Sequence, residues 1–416
     1  MELKRVVITG LGAVTPLGNN VADYWQGLIA GKSGAGPITL FDATKFKTRF
    51  ACEVKNFDPG VYLDRKEARK LDRFSQFAIA SSEEAVQDSG LLNSFNPDRV
   101  GVIWGSGIGG IKTFLDEVSG FSRGDGTPRF NPFFIPKMIA DIASGHVSMR
   151  FGFRGPNFTT VSACASGTNA LIDAYNYIRL GKADAFVAGG SEAAVNEAGI
   201  GGFNAMHALS ERNDDPESAS RPFDVNRDGF VLGEGTGCVI LEELEHALAR
   251  GAKIYAEMVG GGMSADAHHL TAPHPDGLGA INVMTAALSD AEMKPEDIDY
   301  INVHGTSTPL GDISETKAIM HVFGENAFRL NISSTKSMTG HLLGAAGAIE
   351  AIASILAVKN DIVPPTINHF TDDPAFDSRL NFTFNKAQKR VVRAAVSNTF
   401  GFGGHNASVV IKKFNA

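Results

Sequence analysis

Residues 161–170 read VSACASGTNA, and the prediction of the fold starts from this stretch. A β-leaning run, Phe158–Val161, leads into it, and a helix-compatible run, Asn169–Tyr177, leads out of it. Cys164 is therefore predicted at a strand-to-helix turn, among small side chains that let another molecule approach. Because backbone N–H groups at a helix start favour an anion, this position is predicted to ease thiolate formation. The competing interpretation is a buried cysteine that acts as a small hydrophobic side chain.

The composition is that of a globular chain with a large core. Its 416 residues, 43% hydrophobic and 20% charged, suggest two domains or a fused duplicate. The three cysteines have no CxxC spacing, which favours a reducing compartment, so we expect the cytoplasm. The apolar run near Arg5–Thr9 is short and is expected to be a first strand, not a signal peptide. No apolar run approaches the roughly 20 residues that span a bilayer, and the formal charge of −8 argues against nucleic acid as a partner.

Short apolar strands alternate with amphipathic helical stretches along the chain, which is the pattern of an α/β fold. The predicted strands include Arg5–Thr9, Val100–Trp104, Ala185–Ala188, Gly237–Leu241, Tyr300–Val303, Val391–Val396 and Ala407–Ile411.

The chain also contains a faint internal repeat. A helix, a turn and a strand follow one another at residues 85–107 and again at 286–306. Under this alignment Cys164 and Lys336 occupy related places in two halves that face one another. The first half is 28 residues longer between the matching landmarks, so we expect an insertion near residues 114–144.

Two histidines are predicted where ligands bind in an open α/β sheet, beyond the carboxyl ends of strands. His304 follows the predicted strand Tyr300–Val303, and Lys336 and His341 lie five residues apart before another helix. One such histidine is usually structural, but two in parallel settings beside a cysteine favour chemistry. A thiolate can take an acyl group, and two imidazoles can hydrogen-bond a developing enolate.

A glycine-rich segment, residues 398–406, follows the predicted strand Val391–Val396. Its glycines would let backbone N–H groups point at an oxyanion, and Phe402 is predicted to act as a lid on a flexible loop. The alternative is an ordinary glycine-rich turn before the last strand.

Four motifs together resemble those of the elongating β-ketoacyl-[acyl-carrier-protein] synthases of the thiolase superfamily, nearest to the enzymes of bacterial type II fatty-acid synthesis. They are ACASG (163–167), HGTST (304–308), KSMTGH (336–341) and GFGG (401–404). The resemblance runs from residue 8 to residue 408 and implies an α/β, thiolase-like duplicated fold in five layers, α-β-α-β-α. The expected halves are residues 1–253 and 254–416, and relatives in this family imply a homodimer.

The same resemblance implies a decarboxylating Claisen condensation. Cys164 would receive the acyl chain from the phosphopantetheine of an acyl carrier protein, and His304 and His341 would support malonyl decarboxylation and the enolate. Lys336 would organise the site beside His341. The backbone N–H groups of Cys164 and Phe402 would form an oxyanion hole, with Phe402 as the gate between acyl and malonyl positions. The product would be a 3-oxoacyl chain two carbons longer, and no cofactor or active-centre metal is required.

Three further sets of residues are carried over from the family motifs. The residues implied to hold the pantetheine arm are Thr306 and Thr308. The residues implied to wall the acyl pocket are Gly107, Ile108, Phe133 and Phe203. The residues implied to hold a structural monovalent cation, Na⁺ or K⁺, are Asn302, Glu350, Ser397 and Asn406.

The strongest basic cluster of this acidic chain lies at residues 63–73. Helical spacing would put Lys66, Arg69, Lys70 and Arg73 on one face. Such a run is usually only a solvated surface, but the resemblance implies an acidic carrier protein, whose association a positive patch would accelerate. Lys66, Arg69 and Lys70 are therefore predicted to dock the acyl carrier protein.

Three other functions stand against this interpretation. A polyketide-type ketosynthase carries the same residues and stays open, although a free-standing 416-residue chain fits fatty-acid synthesis better. A non-enzymatic chain-length partner subunit would lack the nucleophile that Cys164 supplies. A degradative thiolase would carry a second catalytic cysteine in its C-terminal half, and no cysteine follows Cys238. These residues do not fix the preferred acyl length, the carrier protein or the occupancy of the cation site.

Overall fold

The computed structural model describes residues 3–415 as an α/β fold built around a ten-stranded sheet. The strands are β1 (Val6–Val14), β2 (Gly36–Pro37), β3 (Phe50–Ala51), β4 (Val100–Gly105), β5 (Asn157–Thr160), β6 (Ala185–Glu192), β7 (Gly235–Glu243), β8 (Ala256–Ala265), β9 (Tyr300–Asn302), β10 (Asn331–Ser333), β11 (Ile362–Val363), β12 (Gln388–Lys389), β13 (Ala394–Gly401) and β14 (His405–Lys412). The helices are α1 (Val21–Ile29), α2 (Arg65–Ala68), α3 (Arg73–Ser89), α4 (Ile111–Arg123), α5 (Phe134–Met138), α6 (Ile142–Phe151), α7 (Ser166–Arg179), α8 (Glu197–Ala205), α9 (Leu244–Ala249), α10 (Leu278–Asp290), α11 (Pro309–Phe323), α12 (Lys336–Thr339) and α13 (Ala346–Asn360).

The two halves use the same strand order and the same strand directions. The first half is ordered β5-β4-β6-β7-β1 and the second β10-β9-β13-β14-β8. In each half the first three strands pair in parallel, and the next two pairs are antiparallel. The predicted duplication is therefore visible in the topology. The expected division after residue 253 falls between α9 and β8.

The halves are joined edge to edge by hydrogen bonds between β1 and β8. Residues Val6–Ile8 pair antiparallel with Ala256–Met258, which makes one continuous sheet of ten strands. The long β1 begins near the predicted first strand but continues to Val14, since every residue along it is buried.

The five layers follow from where the helices pack. α7 and α13 lie in the middle, and their apolar side chains share one core cluster with strands of both halves. α3 and α6 cover the outer face of the first half, and α10 and α11 cover that of the second. The predicted α-β-α-β-α arrangement is confirmed.

Helix α13 is apolar all round because it lies between the two halves. Every residue from Ala346 to Val358 is buried. Within residues 3–415, one helical stretch, Leu343–Asn360, has the length and composition to cross a membrane, but 89% of it is buried in the protein. A Cβ on Gly237 of β7 would come within 2.8 Å of the Ala348 backbone, so this glycine lets the sheet approach the helix.

One connection differs between the two halves, and one hairpin differs from the sequence prediction. The connection from β4 to β5 contains α4, α5 and α6, whereas β9 and β10 are joined through α11 and a 3₁₀ turn. The last hairpin begins later than expected, because β13 runs from Ala394 to Gly401 and pairs along its whole length with β14. The glycine-rich segment is therefore a three-residue turn, 402–404, between paired strands, and the role of Phe402 as a lid stays a prediction.

Candidate active site

A cavity of about 750 Å³ brings residues of both halves together. The predicted site residues that line it are Cys164, Phe203, His304, Thr306, Thr308, His341, Phe402 and Asn406. The N-terminal half supplies the cysteine, and the C-terminal half supplies both histidines.

Cys164 lies on a rigid turn between β5 and α7. Ala163 has φ of 51°, a left-handed backbone that non-glycine residues rarely adopt. The Ser166 hydroxyl secures this turn, because it donates to the Ala163 carbonyl at 2.7 Å and accepts from the Ser162 N–H at 2.9 Å. Strain of this kind concentrates at functional sites. The turn sets the sulfur at the start of α7, as predicted.

The sulfur of Cys164 is in direct contact with His341. The distance from Sγ to Nε2 is 3.0 Å, and both side chains are buried. The His341 backbone N–H donates to the Val231 carbonyl at 2.7 Å, and the Phe230 ring packs edge-on against the imidazole at 5.3 Å between centroids. Within residues 3–415, the Nδ1 atom of His341 has no hydrogen-bond partner, so the contact with the sulfur is made by the other ring nitrogen alone.

His304 lies beside His341 on the loop that follows β9. The two imidazole rings are 5.2 Å apart and nearly perpendicular, at 87°. The loop is held from behind by the buried carboxylate of Glu315, which accepts the backbone N–H groups of His304 and Gly305, each at 2.9 Å. The catalytic geometry of the loop therefore depends on a residue of α11.

Burial and a neighbouring cation keep both imidazoles neutral. Burial lowers the pKa of His304 and of His341 well below the ordinary value, and the positive charge of Lys336 lowers both pKa values further. Lys336 is itself buried and donates to the carboxylate of Glu350. Burial raises the pKa of Glu350 to about 7, while the Lys336 cation acts in the opposite direction.

Burial opposes ionisation of the Cys164 sulfur, whereas the backbone N–H groups act in the predicted direction. Burial raises the pKa of Cys164 to about 12. The charge of Lys336 and the backbone N–H groups of Phe402 and Cys164 lower the pKa but do not overcome burial. Sulfur attack therefore needs a base at the moment of reaction, and Nε2 of His341 is in contact.

The turn between β13 and β14 closes over the cysteine. A Cβ on Gly401 would lie 2.8 Å from the Ser162 carbonyl oxygen and 3.1 Å from the Cys164 nitrogen, so only glycine allows this approach. The approach brings the Phe402 N–H to the sulfur. The Phe402 ring lies 6.4 Å from the ring of Phe203, at the cavity wall.

Only some of the residues predicted for the pantetheine arm and the acyl pocket line the cavity. Thr306 and Thr308 line the cavity with their hydroxyl oxygens 3.0 Å apart. Of the four pocket residues, Phe203 lines the cavity, whereas the other three do not: Gly107, Ile108 and Phe133. Ile108 and Phe133 are 37% and 40% exposed, so within one chain they lie at the surface.

Three of the four predicted cation ligands meet in the core. Asn302 and Ser397 are cross-strand neighbours on β9 and β13, and the Asn302 amide approaches the Glu350 carbonyl at 3.5 Å. Within residues 3–415, one buried oxygen on each of these three side chains lacks a hydrogen-bond partner. Oxygen donors of this kind suit a hard cation. Asn406 is turned elsewhere, because its amide donates to Asp266 at 2.8 Å.

The basic cluster is only partly arranged as predicted. Lys66, Arg69 and Lys70 are exposed around the short α2. Arg73 does not share their face, because α2 ends at Ala68 and a new helix, α3, begins at Arg73. The Arg73 guanidinium turns inward and pairs with Glu234 at 2.8 Å.

Two buried carboxylates near the site, Glu192 and Glu315, were not among the predicted residues. Glu192 accepts backbone N–H groups from segments far away in the chain, and Glu315 accepts those of the residues 11 and 10 positions before it. No local sequence pattern identifies such a residue, because a glutamate between small neighbours has the same sequence signature on a surface. Their partners are defined only by the tertiary fold.

Comparison with known proteins gives matches along the chain. Residues 3–247 match the model of the β-ketoacyl synthase N-terminal domain, and residues 255–370 match that of the C-terminal domain. A 3-oxoacyl-[acyl-carrier-protein] synthase 2 from Synechocystis sp. is 52% identical over 415 residues, which cover 100% of this chain and 99% of that one.

Solved structures agree in fold over nearly the whole length. A β-ketoacyl synthase from Burkholderia phymatum superposes with a TM-score of 0.91 at 36% identity, over 99% of this chain and 100% of the other. A ketosynthase described in complex with a type II polyketide acyl-carrier protein gives a TM-score of 0.90 at 34% identity, with the same coverage.

Proposed function

We infer the activity of this chain from its family, since the matches show that it belongs to the β-ketoacyl synthase family. The chain is an acyltransferase that condenses an acyl thioester with malonyl-acyl-carrier-protein, releasing CO₂ and 3-oxoacyl-acyl-carrier-protein in fatty-acid elongation. One observation carries the proposal. The sulfur of Cys164 lies 3.0 Å from a buried His341, beside His304, in a cavity that holds all three.

In the first half-reaction the thiol proton of Cys164 passes to Nε2 of His341 as the sulfur attacks the acyl carbonyl. The oxyanion accepts hydrogen bonds from the backbone N–H groups of Cys164 and Phe402. The bond between the acyl carbon and the carrier sulfur then breaks, and the carrier thiolate takes a proton from the imidazolium. The acyl group now resides on Cys164, and His341 is neutral again.

In the second half-reaction malonyl-carrier occupies the cavity. The bond to its carboxylate breaks, CO₂ leaves, and the electron pair remains as an enolate whose oxygen accepts hydrogen bonds from His304 and His341. The enolate carbon attacks the Cys164 thioester, the carbon–sulfur bond breaks, and the cysteine thiolate takes a proton from solvent. Once Cys164 is acylated its sulfur no longer carries a proton, so Nε2 of His341 can hold the ring proton and donate it to the enolate.

Fatty-acid elongation is favoured over a polyketide reaction by the pattern of similarity. The relative named 3-oxoacyl-[acyl-carrier-protein] synthase 2 is 52% identical, whereas the polyketide ketosynthase is 34% identical. A turnover assay with saturated acyl-carrier and malonyl-carrier proteins tests the choice. Release of CO₂ with a product two carbons longer supports elongation, and absence of that product would contradict it.

The partner of this reaction is an acyl carrier protein, and Lys66, Arg69 and Lys70 form its docking site. Their exposure around α2 supports this assignment, as does the relative whose description places a ketosynthase in complex with an acyl-carrier protein. A carrier that brings an anionic phosphopantetheine arm would be steered by this positive charge.

The functional unit is a homodimer that pairs through β5. This strand stands at one end of the ten-stranded sheet, so within residues 3–415 one of its edges has no neighbouring strand. Val161, which follows β5 directly, is 62% exposed. Exposed apolar side chains beside an open strand edge favour pairing with a second copy.

The compartment that fits the chain is the cytoplasm. Its three cysteines are all unpaired and buried, as expected where thiols stay reduced. Fractionation of the native cell, with a periplasmic and a cytoplasmic marker, tests this assignment.

A monovalent cation, Na⁺ or K⁺, would be held by Asn302, Glu350 and Ser397. It would neutralise the carboxylate that Lys336 does not fully satisfy and would brace the lysine behind the histidines. Thermal melting in KCl, NaCl and choline chloride tests this site. A higher Tm in one alkali salt, lost in Ser397→Ala, supports it, and identical melting in all three salts contradicts it.

A further inference from the structure

The last residue of β6, Glu192, is a fully buried carboxylate whose hydrogen-bond partners come from both halves of the chain. Oε2 accepts the backbone N–H groups of Gly107 at 2.7 Å and Gly344 at 2.9 Å. Oε1 accepts the N–H of Ile108 at 3.1 Å and the hydroxyl of Ser106 at 3.2 Å. Every partner is a donor, so the set is complementary to an ionised carboxylate.

The backbone around this carboxylate is packed without room for side chains. A Cβ on Gly344 would lie 2.3 Å from the Gly107 nitrogen and 2.7 Å from Oε2 of Glu192. A Cβ on Gly107 would lie 2.8 Å from the same oxygen. The loop after β4 and the segment after His341 therefore meet at a fixed distance, with the carboxylate as their common acceptor.

The residue before Gly344 is strained and lines the cavity. Leu343 has φ of 48°, which costs free energy in a residue with a branched side chain. Its side chain faces the cavity and shares an apolar cluster with Cys164. The hydrogen bond from the Gly344 N–H to Glu192 holds the peptide that follows the strained residue. Glu192 thereby fixes where the Leu343 side chain stands.

A similar arrangement holds the equivalent loop of the second half, although its carboxylate lies on α11 and not at the end of a strand. Glu315 accepts the N–H groups of the second and third residues after β9, His304 and Gly305. Glu192 accepts those of the second and third residues after β4, Gly107 and Ile108. In the second half the carboxylate positions a histidine of the proposed reaction, whereas the loop held by Glu192 carries no group that the chemistry uses.

We propose that Glu192 is a positioning residue that sets acyl-chain selection, because it fixes Leu343 and the Gly107–Ile108 loop relative to Cys164. The proposal rests on the proposed acylation of Cys164 and adds to it the residue that holds Leu343, which lines the cavity beside Cys164, in place. Glu192 touches neither substrate nor sulfur. Its effect is on which chain length is accepted, more than on whether the thioester forms.

Burial and hydrogen bonding act on the pKa of the Glu192 carboxylate in opposite directions. Burial raises the pKa of Glu192 to about 7, and the hydrogen bonds from Gly107, Gly344, Ile108 and Ser106 act to lower the pKa. Glu192→Gln keeps the shape but offers one oxygen and an NH₂ group to four donors. At least one N–H then loses its acceptor, which releases either the Gly344 peptide or the loop after β4.

The test is the rate of Cys164 acylation by acyl-carrier proteins of graded chain length, followed by intact mass. For Glu192→Gln we expect the ratio of short-chain to long-chain rates to change by about tenfold, since one methylene in an apolar pocket is worth about 10-fold or more. The control is Glu242→Gln, another fully buried strand carboxylate, bonded to Arg250 and absent from the cavity lining. The Glu242→Gln substitution should lower the stability of the protein without changing the site, so this variant should keep the wild-type ratio of short-chain to long-chain rates.

Other outcomes are equally decisive. A wild-type ratio in Glu192→Gln, or the same altered ratio in Glu242→Gln, would overturn the inference. If Glu192→Gln does not fold, Leu343→Gly removes the side chain that the carboxylate positions and relieves its strain. An unchanged ratio in that variant would also overturn it. Failure of the wild type to acylate at any length would instead defeat the proposed function.

Discussion

At the residue scale, the chemistry depends on keeping two imidazoles neutral within reach of one sulfur. His341 contacts the sulfur directly, and His304 lies against His341. Burial lowers the pKa values of both imidazoles, and the buried cation of Lys336 lowers them further. The two half-reactions therefore separate by residue, with His341 needed in both and His304 in the second.

Replacing His304 by alanine should separate the half-reactions. Removal of one oxyanion donor costs about 10²–10³-fold in rate, so CO₂ release and condensation should fall by this factor. The Cys164 adduct should still form, because His341 remains in contact with the sulfur. Single-turnover CO₂ release and intact mass measure the two steps, with the exposed His321→Ala as the matched control. Equal loss of both steps in His304→Ala would contradict the assignment.

The pH dependence of acylation should reflect the lowered histidine pKa values. A histidine with an ordinary pKa near 6.5 would be about three quarters protonated at pH 6 and unable to accept the thiol proton. Because burial and Lys336 hold the pKa of His341 well below this range, the neutral form persists as the pH falls through 6.5. The acylation rate should stay level between about pH 7.5 and about pH 6. A several-fold fall with an inflection near 6.5 would show that His341 titrates normally.

At the scale of elements, strand ends and short turns bring the site together. Cys164, His304 and Lys336 each follow a strand, which is why the four sequence motifs could be placed before the fold was known. The helix breaks were harder to predict. Helical spacing puts Arg73 beside Lys66, but the N-cap Asp72 starts a new helix and turns the guanidinium inward. Capping competes with charge periodicity, and only the tertiary packing decides between them.

The charges around α2 should govern affinity for the carrier and not the chemistry. Lys66→Glu with Arg69→Glu should raise KM for malonyl-carrier about tenfold at low ionic strength, with little change in kcat, since rim charges act mainly on association. Turnover of a malonyl-pantetheine thioester without the protein should be unchanged. Lys182→Glu, an exposed lysine outside this segment, is the matched control. Equal loss with the small thioester would place these residues in the catalytic machinery.

At the scale of the whole molecule, the duplication places the site between two halves of the chain that share one topology. The shared strand order aligns the turn after β5, which carries Cys164, with the turn after β10, which carries Lys336, while His304 follows β9 in the second half. The sequence repeat and motifs were sufficient to predict this arrangement. The contacts of Glu192 and the orientation of Asn406 were not predictable, because they depend on contacts between segments far apart in the chain. The exposure of Ile108 and Phe133 was not predictable either, because apolar side chains are normally expected to be buried.

The open edge of β5 predicts the oligomeric state. Val161→Asp places a charge beside that edge and should convert a species of twice 44.1 kDa into one of 44.1 kDa. Sedimentation or light scattering measures the mass, and circular dichroism checks that the variant is folded. A wild-type protein that is monomeric at micromolar concentration would rule out pairing through β5.

The most direct test of the account is the intact mass of the protein after incubation with acyl-carrier protein, before and after malonyl-carrier is added. The wild type and Cys52→Ala should each gain one acyl group and then lose it as a product two carbons longer appears on the carrier. Cys164→Ala should gain none. An acyl adduct that persists in Cys164→Ala, or the absence of any adduct in the wild type, would contradict the assignment of Cys164 as the nucleophile.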